Sequence, residues 1–390
     1  MSDLNLNIAD LKHFNYLKEA AKNDAFRNRA LKTNKCYIPN IPPEIAIQLT
    51  YRCNLRCKSC MQWSNTGFLR KNSQIEVGDL DLELFKKILA ETKSEKSRLH
   101  LWGGEPMFHK EWDTFTKLLE KDKRKVTLNT NGILIKEKIE TLLKLGSNLN
   151  IVISLDGNQE ENDAIRGKGT YNKVIEGLNL LKEVRNKNTF NGRILVNTVL
   201  NEKLILTLAE YVKHVECLNI DKLIVSYPWY ISSYGREFMD NYWKENFSWL
   251  NTNNNRPSWH SFQFSIPDHL ILNLKEQLIG IREMKLSMKL RLQPDIQPEE
   301  AIEYANCSYL DKFTKNTYCL GTYNRLSVCA NGNVSACTDF PEFVVGNLYS
   351  DSLTDIWKSE KYNKIREIRN NGTWPLPICF KCSLHSANRI

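Results

Sequence analysis

The 390-residue chain holds eleven cysteines, and their spacing is uneven. Cys53, Cys57 and Cys60 form a C-x3-C-x2-C trio in the loop YRCNLRCKSCMQW, and Cys319, Cys337, Cys379 and Cys382 form a looser C-x17-C-x41-C-x2-C set near the end. Thiolates this close can converge on one centre, and soft sulfur ligands select zinc, copper(I) or iron–sulfur clusters. A structural zinc site wants a fourth ligand close by, yet the histidine nearest the trio, His100, falls on another element. Three local thiolates therefore suit a [4Fe-4S] cluster with one iron open to a ligand. Zinc remains the alternative for the trio, and a zinc ribbon for the later four.

These residues need a scaffold, and the sequence supplies one. Short β-branched runs alternate with helical patterns: EIAIQL, LHLW, KVTLNT, NIVISL, ILVNTV and KLIVSY, with helices such as LELFKKILAETK between them. Alternation of this kind predicts an α/β fold, a parallel sheet or partial barrel whose ligands gather at the carboxyl ends of the strands. The trio begins just after the first run, at that mouth. RLSVCANGNVSAC, alternating around Asn-Gly between Cys319 and Cys337, predicts a hairpin beside the second set.

Composition narrows the class. The net charge of +9 comes from 54 Lys plus Arg against 45 Asp plus Glu, interspersed without a basic stripe, so nucleic acid is disfavoured as a partner. No apolar run reaches the roughly 18 residues of a membrane span. A cytoplasmic location is expected, where thiols stay reduced and serve metals or catalysis rather than disulfides.

The trio after a first strand resembles the signature of the radical S-adenosylmethionine (SAM) superfamily. GGEP at Gly103, Gly104, Glu105 and Pro106 resembles that family's SAM-amino-group motif. Asn129, Thr130, Asn131 and Gly132 follow the third strand as in the family, and Ser154 and Asp156 of SLDG with Arg166 resemble its SAM-carboxylate stretch. One departure is Ser59, where the family usually has an aromatic residue near the adenine; Trp63 is the candidate replacement. The later four cysteines, with GNLYSDSLTDIW between them, resemble the twitch and SPASM modules of these enzymes.

The resemblance implies a partial (β/α)6 barrel over 45–228 and an α+β iron–sulfur module over 319–390. An N-terminal helical extension over 1–44 and an aromatic-rich connector over 229–318 are expected besides. It also implies SAM and two [4Fe-4S] clusters, one of them auxiliary, with flavodoxin or ferredoxin as electron donor. The implied reaction cleaves SAM to a 5′-deoxyadenosyl radical that takes hydrogen from a C–H bond. The expected substrate is a sugar, aminocyclitol or similar small polar metabolite undergoing oxidation in natural-product biosynthesis. The alternatives are modification of a ribosomally made peptide, or sugar epimerisation with Cys217, Cys307 or Cys329 returning the hydrogen atom.

Overall fold

The computed structural model describes residues 37–71, 77–250, 252, 256–301, 304, 319–370, 376–379 and 382. The expected N-terminal extension as far as residue 36, and Cys307, lie outside the described residues. The six strands read from the sequence are present as β1 (Glu44–Thr50), β2 (Arg98–Gly103), β3 (Val126–Thr130), β4 (Leu149–Ser154), β5 (Arg193–Val199) and β6 (Lys222–Ser226). Each pairs in parallel with the next.

The crossover helices are α1 (Leu82–Glu91), α2 (Trp112–Asp122), α3 (Ile135–Leu143), α4 (Gln159–Arg166), α5 (Thr170–Asn186) and α6 (Glu202–Glu216). Two more, α7 (Ser233–Asn246) and α8 (Ile271–Arg282), lie in the connector and lead to a seventh parallel strand, β7 (Lys289–Gln293), paired with β6. The connector thus extends the barrel sheet as well as covering it.

A parallel sheet covered on both faces reads as a continuous apolar run, whereas these strands alternate. Ile45, Ile47, Leu49, Leu99, Leu101, Leu128, Ile151, Val196 and Val225 belong to the core with Phe85 and Ile88 of α1 and Leu208 of α6. The intervening positions share the opposite face, where Gln48, His100, Asn129, Asn150, Asn197, Ser226 and Gln293 are interspersed with Ala46, Trp102, Val152, Leu195 and Ile224 and line the lumen.

The auxiliary module is part of the same sheet. β8 (Arg325–Val328) runs parallel to β1, β9 (Asn333–Ser335) returns antiparallel, and β10 (Val344–Asn347) follows. The strand order is β10-β9-β8-β1-β2-β3-β4-β5-β6-β7. The helices α9 (Leu353–Lys358) and α10 (Glu360–Asn370) complete the module. Trp357 donates to the Pro39 carbonyl at 2.8 Å, and the Arg366 guanidinium stacks on Trp357 and Tyr362 at 4.3 and 4.1 Å.

The aromatic residues of the connector form a packed seam against the loop after β9. Trp243 lies 5.3 Å from Trp259 and 5.0 Å from Phe343, while Trp229 meets Phe340 edge-on at 5.4 Å. Ser258 Oγ donates to the buried Glu342 at 2.7 Å and ties the two segments together. Trp259→Ala should cost about 3–5 kcal/mol of stability, as large buried aromatics do. Tyr234→Ala, on a side chain 72% exposed, should stay within about 0.5 kcal/mol. Thermal unfolding of both anaerobically prepared proteins checks this, and equal melting shifts would contradict a seam at Trp259.

Candidate active site

The chain leaves β1 at Thr50 and enters the cysteine loop under tight backbone restraint. Gly104 N donates to the Thr50 carbonyl and Glu105 N to that of Arg52, both at 2.8 Å. A Cβ on Gly104 would stand 2.0 Å from the Arg52 carbonyl oxygen, and one on Gly103, at φ +148°, would stand 2.4 Å from that of Thr50. Only glycine permits this approach, so the GG pair docks the second loop against the first. Asp79, which no motif predicted, accepts from Thr50 Oγ1 at 2.6 Å and pairs with Arg52.

Glu105 has no solvent exposure. Its carboxylate accepts from Met107 N at 3.2 Å, Thr130 Oγ1 at 2.9 Å and Asn131 N at 2.8 Å. Burial outweighs these donors and pushes its pKa up to about 7. The motif carboxylate is thus a brace between the β2 and β3 loops. Asn131 passes the restraint on, because its Nδ2 donates to Asn54 Oδ1 at 2.7 Å and lies 3.9 Å from Cys53 Sγ.

On the other side, Arg166 at the end of α4 pairs with Asp156 at 2.8 Å and lies 3.9 Å from Cys57 Sγ. Lys58 N donates to the Ile165 carbonyl at 2.9 Å. Asp156 is fully buried, accepts from Val199 N at 2.8 Å, and thereby fixes the β4 and β5 ends. Ser154 ends β4, on the strand face that includes Asn150. Of the residues expected to contact SAM, Gly103, Gly104, Glu105, Asn131, Asp156 and Arg166 are brought to the cysteine loop, while Ser154 pairs in register with Asn197 of β5.

The donor set fits an iron–sulfur cluster. Burial pushes the Cys53 and Cys57 thiols up to about 11 and about 12 and raises Cys60 as well, so a thiolate here needs a cationic centre to offset its desolvation. Leu55 N donates to Cys53 Sγ at 3.4 Å and Trp63 N to Cys60 Sγ at 3.3 Å, as sulfurs that carry charge require. Among the described residues no three His, Cys, Asp or Glu side chains close to the distance of a single bound metal ion. The fit rests on the donor set and on the groups around the sulfurs. Trp63 donates Nε1 to the Tyr51 carbonyl at 2.8 Å with the Arg56 guanidinium 4.2 Å over its ring, so its indole covers the cysteine loop.

Cys319, Cys379 and Cys382 are buried and Cys337 half-buried within the auxiliary module. The turn carrying Cys379 packs against α7. The three lone cysteines separate. Cys217 is exposed at the end of α6 far from the mouth, and Cys307 lies outside the described residues. Cys329 follows β8, buried, with the Tyr51 hydroxyl donating to its sulfur; Tyr51 is two residues before Cys53.

Comparison with known proteins agrees with this geometry. The model of the radical SAM superfamily matches residues 47–212, and that of the SPASM iron–sulfur cluster-binding domain matches 319–383. The chain belongs to the radical SAM superfamily and carries a SPASM domain, so its cofactors are SAM and [4Fe-4S] clusters. It is 29% identical over 172 residues to GTP 3′,8-cyclase of Aliarcobacter butzleri, covering 43% of this chain and 51% of that protein. It thus spans about half the length of such a relative.

A tungsten-containing aldehyde ferredoxin oxidoreductase cofactor-modifying protein of Pyrococcus furiosus is 24% identical over 87% of both chains. Among solved structures, Streptococcus suis SuiB bound to precursor peptide SuiA superposes with a TM-score of 0.59 at 19% identity, over 94% of this chain and 74% of that one. That likeness is one of fold.

Gly104→Ala should keep the barrel but undock the cysteine loop. Anaerobic reconstitution should then load the C-terminal cluster while losing roughly half of the iron and the SAM binding, against about four iron per cluster in the parent. Full iron content with unchanged SAM affinity would show that the close approach is dispensable.

Proposed function

We propose that Cys53, Cys57 and Cys60 hold the SAM-binding cluster, that Cys319, Cys337, Cys379 and Cys382 hold an auxiliary one, and that the enzyme oxidises a peptide substrate. When bound, the first cluster supplies the electron that cleaves SAM to the 5′-deoxyadenosyl radical. The chain's own residues bind, orient and keep water out. Glu105, Asn131 and the GG backbone line the methionyl end of SAM, while Ser154, Asp156 and Arg166 face its carboxylate side.

One observation carries the oxidation. The auxiliary hairpin adds to the barrel sheet through β8 beside β1, the strand that launches the cysteine loop. A cluster held by the auxiliary module would then stand on the β1 side of the barrel and would supply an acceptor for the second electron. The peptide reading takes support from SuiB, whose fold this chain shares and whose structure holds a precursor peptide. The second reading, oxidation of a sugar or aminocyclitol, is favoured by the polar lumen around Asn150, Asn197 and Ser226. A flavodoxin or ferredoxin as reductant and a reducing, cytoplasmic setting complete the proposal.

Because burial holds Glu105 near 7, only part of the population is ionised at neutral pH, and only the carboxylate accepts an ammonium. SAM affinity should rise as pH goes from 6 to 7.5, still below the usual α-amino pKa of about 8. Glu105→Ala should weaken binding by roughly 10- to 150-fold, corresponding to about 1.5–3 kcal/mol, and flatten that pH dependence. Equilibrium dialysis with labelled SAM measures both; a pH-independent affinity in the parent would remove Glu105 from the site.

Oxidation and epimerisation separate by mass. With a substrate in hand, the product should be two hydrogens lighter and free of deuterium at the reacting carbon when formed in D2O. Cys337→Ala and Cys379→Ala should cleave SAM without forming product. A product of unchanged mass carrying one deuterium, lost in Cys329→Ala, would make the enzyme an epimerase with Cys329 as hydrogen donor.

A further inference from the structure

The loop that carries Cys53, Cys57 and Cys60 has two unlike sides. Along it Arg52, Asn54, Arg56 and Lys58 are exposed while Cys53, Leu55 and Cys57 between them are half-buried, so the cations form the outer side. From Tyr51 to Lys71 the chain has five cations, Arg52, Arg56, Lys58, Arg70 and Lys71, and no carboxylate. Lys58 N is bonded to the Ile165 carbonyl, which brings the turn of exposed Lys168 beside it. The acidic groups of the neighbouring loops are engaged: Asp79 balances Arg52, Asp156 balances Arg166, and Asp163 accepts from Gly169 N at 2.6 Å and Tyr171 N at 2.9 Å of its own loop. Arg56, Lys58 and Lys168 leave the outer face with a positive excess.

Two parts of this face are held in place. Arg56 Nη1 donates to the carbonyls of Cys53 and Leu55 at 2.8 and 2.7 Å, and its guanidinium lies 4.2 Å over the Trp63 ring. Beside Arg52, the turn Pro106–Phe108 presents the Phe108 ring, 49% exposed; the turn is tied to the loop because Glu105 N donates to the Arg52 carbonyl and Phe108 N to that of Glu105. An aromatic anchor beside ordered cations is the make-up of a protein interface, and groups already fixed lose little freedom on docking. The stretch from Arg52 to Lys58 spans at most about 20 Å, within the width of one standard interface of roughly 800 Å² per partner.

Position and charge decide the partner. The face is the outer side of the same residues whose inner side carries the three thiols, and the cluster proposed there takes up one electron at a time from a carrier in solution. An acidic carrier is steered to a positive face and a basic one repelled. A carrier whose redox group shows a planar apolar edge at its surface also fits an exposed aromatic ring. We propose that this face, Arg56, Lys58 and Lys168 with the Phe108 ring, docks an acidic flavodoxin with its flavin edge foremost. The transfer moves one electron and no proton: the flavin hydroquinone anion is oxidised by one electron and the cluster reduced by one. The assignment rests on the proposed role of the first cluster and names its electron donor, and its test reads docking rather than turnover.

Flavodoxin is immobilised, and the anaerobically reconstituted holoenzyme is passed over it at ionic strengths from about 0.01 to about 0.15 M, across which the screening length falls from about 30 to about 8 Å. The parent should associate fast at the low end and lose most of that rate at the high end. Lys58→Glu combined with Lys168→Glu should slow association about tenfold or more at low salt and flatten the salt dependence, while Phe108→Ala should speed dissociation. Lys168→Glu alone, outside the cysteine loop, should show the same effect in smaller degree. Lys144→Glu combined with Lys187→Glu makes the same change of net charge at the ends of α3 and α5 and should associate as the parent does. Equal slowing by the two charge pairs, or an unchanged rate in the Lys58 and Lys168 variant, would overturn the face. Double-stranded DNA bound with the same dependence on Lys58 and Lys168 would make it a general anion surface, and a [2Fe-2S] ferredoxin bound in place of flavodoxin would overturn the partner. If neither carrier binds the parent while a viologen still reduces it, the soluble-carrier reading falls together with the assignment; failure of the face alone leaves that reading standing.

Discussion

A single buried carboxylate holds the centre of this molecule together. Glu105 sits dry where the loops after β1, β2 and β3 meet, and its backbone N–H is bonded to the loop of the three cysteines while its side chain is bonded to the loop after β3. An isolated carboxylate without water is costly, and three hydrogen bonds offset only part of that cost, which is why its proton affinity stays high. The glycines before it serve the same end. A side chain at Gly103 or Gly104 would push the second loop off the first and pull the carboxylate from its donors. The geometry of the cysteines is thus set from below, by a backbone contact that tolerates no Cβ, rather than by the cysteines themselves.

The second constraint is the sheet. Its helix-covered face is apolar while its lumen face mixes polar and apolar side chains, and its two ends are differently used. At the β7 end the connector adds a strand; at the β1 end the auxiliary hairpin adds three. Hydrogen bonds between β1 and β8 join the hairpin of the auxiliary module to the strand that leads to Cys53. The aromatic seam of Trp243, Trp259 and Phe343 closes the same junction from the connector side. Backbone pairing and a packed seam thus hold the SPASM module against the barrel.

Much of this was legible in the sequence, for local reasons. Strands of β-branched residues separated by amphipathic helices announce a parallel sheet, and a hairpin around Asn331–Gly332 announces itself by turn chemistry, with Gly332 at φ +80°. The trio and GGEP carry their meaning in spacing. What was not legible depends on pairing between distant segments. Nothing local in KLRLQ marks β7 as a barrel strand, and nothing in RLSV says that it runs beside EIAIQLT. Nor does the composition of the aromatic-rich connector show that its Trp243, Trp259 and Phe262 pack into the core. The brace role of Glu105 was hidden too, since a motif gives a residue type and not its partners.

The lumen shows why sequence periodicity alone would undervalue β1 and β2. Gln48, His100 and Trp102 interrupt apolar runs, and in an ordinary buried sheet each would be a defect. Here they fall on one face, at adjacent registers, directly under the loops that gather the cysteines. Tyr51 is a few residues further along β1's exit, and its hydroxyl reaches across to Cys329 at the end of β8. The same strand therefore offers polar atoms to the lumen, the first cysteine of the trio to the mouth, and a hydrogen bond to the auxiliary module. Alternation along one strand separates core from lumen, and the exit of that strand links the lumen to both cysteine sets.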